Sequence, residues 1–261
     1  MKKKYVKIFL IILAVFIGIN FSIYSYTVLK DNSLSKKEIS ISDEQYEVIR
    51  NILYSVETGN GVYGEKEYEN FTEALNISKN EKSITLGAGA FYGDNAKKLL
   101  IRIEEKYPGI FEYYDDCSLE EDLKLETWDE YAIEKNSKKG LAIINIIGTK
   151  EGIIIQDEMM NEMIFSYLKE AKLKGINEMK AQVMYSSIIH LGGKKAANRI
   201  LNHISKPYTF NKIYRALNRE YPEDKNLNTP VNSELFKKRH KNVYKQIKEM
   251  LWYSFLIYYS V

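Results

Sequence analysis

The chain has 261 residues, 45% of them hydrophobic, with only 4 prolines and 2 tryptophans. That is enough to bury one sizeable core, and it excludes low-complexity character and a three-domain layout. The formal charge of +3 belongs to the first thirty residues. Without their five lysines, the 38 basic residues fall to 33 against 35 acidic ones, so the rest of the chain lacks the electrostatic footprint of a nucleic-acid binder.

Residues 1–30 form a separate object. Lys2, Lys3, Lys4 and Lys7 precede an apolar run from Ile8 to Tyr26, long enough nearly to cross a hydrocarbon core of roughly 30 Å. The basic flank predicts a cytoplasmic N-terminus and a single-pass signal-anchor helix, with the domain outside the cell membrane. A cleaved secretory signal is the competing reading, but the run ends in Ile23-Tyr24-Ser25-Tyr26-Thr27, without a small-x-small cleavage site. Either way the remainder is exported. Residues 31–42 read as a polar linker, and residues 43–261 as the domain. Cys117 is the sole cysteine, which excludes an internal disulfide and predicts a small buried or half-buried side chain.

A first helix is predicted from the acidic residues after Ser42 through Val48, Ile49, Ile52, Leu53 and Val56, stopped by Gly59, which puts Glu57 in its last turn. The pattern then turns irregular. Asn76, Ser78, Lys79 and Asn80 mark a turn ahead of Ile84-Thr85-Leu86, and a small hairpin or three-stranded sheet is the economical reading. A helix opens at Asp94 and ends before Pro108, followed by short helices and loops from Cys117 to Lys139. Leu141 to Ile147 leaves a buried strand and a short core helix both open. Further helices are read at 156–173, 178–190, 194–204, 209–220 and 233–253. The expected class is α+β, mainly α-helical, with one small sheet near its front.

The chemistry concentrates between Tyr54 and Gly93. Cleaving a glycosidic bond needs an acid placed against the leaving oxygen, and a second group that orients water or stabilises the positive sugar. A carboxyl at a helix C-terminus faces the negative end of the macrodipole, so its proton is held more tightly, as a general acid requires. Glu57 occupies that position, with Tyr54, Tyr63, Phe91 and Tyr92 as shielding neighbours. Glu81 precedes the strand on a stretch that a hairpin would swing back toward the helix end. Glu65, Glu67, Glu69 and Glu73 compete with it for a place in the cleft. Thr85 supplies a hydroxyl for water, and Gly87 and Gly89 would let a sugar approach the backbone.

Ser55-Val56-Glu57-Thr58-Gly59 with Tyr63-Gly64, then Ile84-Thr85-Leu86-Gly87-Ala88-Gly89 and later His190-Leu191-Gly192-Gly193, resembles the lysozyme-like superfamily. The likeness is nearest to its chitosanase-like branch, alongside phage and goose-type lysozymes. It spans roughly residues 43–253 but its motifs cover only about forty of them, and it departs at Ala90 and Leu191, where the family pattern carries glutamine. The resemblance implies a lysozyme-like fold, Glu57 as acid, Glu81 as second carboxylate and Thr85 as the water-positioning residue. Substrate contacts would come from Gly59, Tyr63, Gly87, Gly89, Phe91, Tyr92 and His190. The expected activity is hydrolysis of β-1,4 bonds in an aminosugar polymer by a monomer, peptidoglycan first and chitosan or chitin second.

Other chemistries find no support in spacing. His190 ends an apolar stretch and reads first as a hydrogen-bonded structural histidine. His203 and His240 have no ligand partner at metal spacing, and no Gly-x-Ser-x-Gly elbow is present. Neither metal nor organic cofactor is expected. Lys237-Lys238-Arg239-His240-Lys241 reads as a solvated basic face, with anionic wall polymers or lipid headgroups as the alternative contact. A non-catalytic wall- or partner-binding module on the same fold is the competing function, and a sensor ectodomain without a sugar site the third.

Overall fold

The structure, a computed structural model, describes residues 41–74, 82–220 and 230–255. The anchor, the linker up to residue 40, Glu81 and the chain end from 256 lie outside the described residues. Among those described, no helix is long and apolar enough to cross a membrane.

Helix α1 (Asp43–Glu57) opens on Asp43 and Glu44, acids that complement the positive helix end. Its second half is buried on every side, from Asn51 through Val56 without interruption. A helix buried all round must be central. Here it is packed by α6 (Lys150–Leu173), α7 (Met179–Asn202) and α9 (Pro230–Phe255).

Three two-residue strands follow: β1 (Phe71–Thr72), β2 (Thr85–Leu86) and β3 (Phe91–Tyr92), antiparallel in the order β1-β2-β3. Register aligns Phe71 with Leu86 and Leu86 with Phe91, so one face carries three apolar side chains, each at most 4% exposed. That face joins a core with Leu99, Leu100 and Ile103 of α2 (Asp94–Lys106), Phe111 of α3 (Pro108–Tyr114), Leu119 of α4 (Leu119–Leu123) and Trp128. The expectation of a mainly helical α+β protein with a small sheet thus matches the observed architecture.

Residues 141–147, compatible with strand or helix, lie in α5 (Lys138–Gly148). Caps decide the matter. Ser137 accepts a hydrogen bond from the Gly140 amide at the start, and Thr149 both ends α5 and accepts from Gly152 to start α6. Ala142, Ile143, Ile146 and Ile147 then form the buried stripe while Leu141 is half exposed, which is helical spacing. Through the same capping, α6 starts six residues before the expected Gln156. The helices predicted on either side of Gly192-Gly193 are the two halves of α7, broken where Gly193 leaves helical geometry. Helix α8 (Phe210–Glu220) packs on α7, and α9 buries Val243 and Ile247 against α1 and α7.

Candidate functional site

Glu57 is the last residue of α1, and its side chain is 16% exposed. Two helices distant in sequence meet it there. His190 of α7 places Nε2 3.3 Å from Oε1, and Arg239 of α9 places Nη1 3.6 Å from Oε2. Arg239 Nη2 also donates to the Glu57 main-chain carbonyl at 3.4 Å. The imidazole is buried, its side chain only 3% exposed, and that burial pushes its pKa below the ordinary histidine value, against the pull of Glu57. His190 is therefore neutral near pH 7, and neither ring nitrogen has a hydrogen-bond partner. The contact with Glu57 is close but is not an ion pair. Burial of Tyr167, reinforced by the charge of Glu57, raises that phenol's pKa as well, and its ring centroid stands 6.2 Å from the imidazole. The hydrogen-bonded structural histidine read from sequence is replaced by a buried imidazole that meets the acid without a hydrogen bond.

The segment after Glu57 is tied down on two sides. The Thr58 hydroxyl donates to Glu65 at 3.0 Å and the Asn60 side-chain Nδ2 donates to the same carboxylate at 2.9 Å, so Glu65 braces the turn. Gly59 and Tyr63 lie half-buried along this turn. Further on, residues Lys66 to Asn70 with Lys135 and Ile153 line an open polar groove of about 480 Å³. Of the acids that precede the strands, Glu67 and Glu69 face this groove, while Glu73 accepts a hydrogen bond from the Lys135 amide.

A polar cluster joins α1 to the groove wall. Asp157 of α6 accepts from the hydroxyls of Tyr54 at 3.0 Å and Tyr68 at 2.9 Å, and pairs with Arg50 at 3.3 Å. Burial, with the carboxylate beside them, pushes both phenols well above the ordinary tyrosine range. The two rings meet edge to face with centroids 5.8 Å apart. Tyr54 thus connects the core of α1 to Tyr68 in the groove one helical turn before Glu57.

The glycine-rich strand turn has a different role from the one its sequence suggests. The turn from Gly87 to Ala90 joins β2 to β3, closed by the Ala90 amide donating to the Gly87 carbonyl. Gly87 adopts φ of +70°, and a Cβ there would stand 2.2 Å from Gln156 Oε1. Gln156 is fully buried: its Oε1 accepts from the Ala88 amide at 3.0 Å, and its Nε2 donates to the carbonyls of Tyr68 and Ile147 at 3.1 and 2.9 Å. Gly89 similarly makes room for the Phe91 ring and Met160. The close approaches at Gly87 and Gly89 are made by protein side chains, where a sugar was expected, and Phe91 lies in the core. Thr85 is half-buried on β2 and Tyr92 is 37% exposed, its hydroxyl accepting from the Lys82 amide.

The structure therefore brings together Glu57 and His190 among the expected site residues and adds Arg239. The basic run at 237–241 is not a uniform solvated face: Arg239 turns onto Glu57 and His240 is 3% exposed, while Lys238 and Lys241 point outward. No cluster of potential metal ligands occurs among the described residues. No protein-family model, curated protein or solved structure matches the chain.

Proposed function

We propose that the protein is an exported, membrane-anchored glycoside hydrolase of lysozyme-like fold that cleaves β-1,4 bonds of an aminosugar polymer, peptidoglycan before chitosan or chitin. The observation that carries the proposal is the setting of Glu57. A carboxyl ends the central helix, is largely withdrawn from solvent, and is met there by a guanidinium and a neutral imidazole. Further along the chain, Lys66 to Asn70 line a polar groove of a size suited to sugar rings. An acid fixed on a rigid helix end and largely withdrawn from solvent is what proton transfer to a glycosidic oxygen requires.

In this mechanism the protonated form of Glu57 gives its proton to the leaving oxygen as the bond to the anomeric carbon breaks. The positive charge that develops on the sugar is offset by a second carboxylate, and water completes hydrolysis. Glu67 and Glu69 present carboxylates to the groove, and Glu81 lies outside the described residues. Thr85, half-buried on β2, is the proposed water-positioning hydroxyl.

The test uses the chain without residues 1–40 on purified Gram-positive cell walls, following turbidity and released reducing ends. Wild type should clear the walls, and Glu57→Gln, folded by circular dichroism, should lose at least about 100-fold, in keeping with the scale of general acid catalysis. Equal behaviour of the two folded proteins would remove the enzymatic reading in favour of a wall-binding module.

A further inference from the structure

Helix α1 ends without a basic residue in its last turn, although helix C-termini favour cations and leave carbonyls in need of donors. Both deficits are met from α9, and from one side of it. Arg239 gives Nη2 to the Glu57 carbonyl and Nη1 to its carboxylate. Asn242, one turn on, fills the notch at Gly61, where φ is +73° and a Cβ would stand 1.8 Å from the Asn242 amide nitrogen. Gln246, one turn further, accepts from the Ser55 hydroxyl at 3.0 Å and donates to the Gly61 carbonyl at 3.0 Å. Positions 239, 242 and 246 lie on one helical stripe, so α9 grips the acid and the loop beyond it along two turns.

We propose that α9 is a working part of the site: Arg239 is the positioning residue that fixes the Glu57 carboxyl, and Asn242 and Gln246 hold the glycine loop beneath it. This rests on the reading of Glu57 as the acid. The guanidinium is suited to the task because its planar fork engages a carbonyl and a carboxylate together, which an ammonium cannot do. A helix end held only by its own hydrogen bonds would fray, and a displacement of about 1 Å at a reacting group is worth on the order of 100-fold in rate.

The experiment compares wild type, Arg239→Met, Arg239→Lys and the exposed control Lys238→Met. Hydrolysis of a soluble aminosugar oligomer is measured together with hydrogen exchange of the 57–64 amides by mass spectrometry. With an active wild type and an inactive Glu57→Gln, Arg239→Met should lower kcat by roughly 10- to 100-fold with KM within about twofold. Arg239→Lys should recover part of the loss, and Lys238→Met should match wild type. A purely structural cap would instead leave kcat of the folded variant unchanged, and that result overturns the proposal. Should wild type and Glu57→Gln both lack activity, the function reading fails and the positioning of an acid fails with it, and exchange then decides only whether Arg239 holds the 57–64 segment. Faster exchange at 57–64 in Arg239→Met but not in Lys238→Met sustains that hold, and equal exchange in all variants overturns it.

Discussion

Replacing Gln156 with leucine keeps the side-chain size but strips a fully buried position of all its polar atoms. Three backbone groups lose their partner at once: the Ala88 amide, the Tyr68 carbonyl and the Ile147 carbonyl. Each buried group left unpaired costs about 1–3 kcal/mol, and the two carbonyls fall at the low end because each retains a second lone pair. The sum is about 4 kcal/mol. At about 2–4 °C per kcal/mol for a domain of this size, Tm should fall by roughly 8–16 °C, read by calorimetry and by urea unfolding at constant m. Gly87→Ala drives a methyl toward the same Oε1 from a backbone with φ of +70° and should also destabilise, and because the two sites touch its cost should differ in the Gln156→Leu background. A loss below about 1 kcal/mol for Gln156→Leu, or strict additivity of the pair, would refute the view that the glycine turn exists to seat this glutamine.

Below pH 6.5 the unfolded chain takes up a proton at His190 that the folded chain resists, so stability should drop as pH falls through that window, by up to about 1.4 kcal/mol per pH unit. His190→Gln should flatten that slope in urea titrations between pH 6.5 and 5, and an unchanged slope would contradict a buried neutral imidazole. Asp157→Leu removes the acceptor shared by Tyr54 and Tyr68 and one partner of Arg50, and should cost about 2–4 kcal/mol by urea unfolding. Glu65→Gln should cost stability through the 58–60 turn, whereas Glu67→Gln and Glu69→Gln should leave stability within about 0.5 kcal/mol, one of them lowering wall hydrolysis. Turnover unchanged in both groove variants would leave neither as the second carboxylate.

Much of the helical framework was legible because apolar spacing and caps act locally. Glu57 at a helix end followed directly from the run Ile49, Ile52, Leu53, Val56 and the stop at Gly59. The ambiguity at 141–147 arose because a short run rich in isoleucine fits both periods, and only the caps at Ser137 and Thr149 break the tie. Arg239 was not legible as a site residue because it lies 182 positions from Glu57, and a run of basic residues reads as a solvated face. One trace of it was present: Arg239 stands four and eight residues before Val243 and Ile247, flanking the stripe that α9 buries. The role of Gly87 was misread for a similar reason. A glycine announces close approach, but the partner is named by tertiary packing, and here it is Gln156.

If Glu57 is the acid of a glycosidase, its reaction leaves a chemical mark on the products. Purified peptidoglycan digested with the wild-type domain, reduced and analysed by mass spectrometry, should yield fragments with a new reducing-end aminosugar, and the folded Glu57→Gln protein should yield none. Digests lacking such ends with wild type, or containing them equally with Glu57→Gln, would exclude Glu57 as a glycosidase acid.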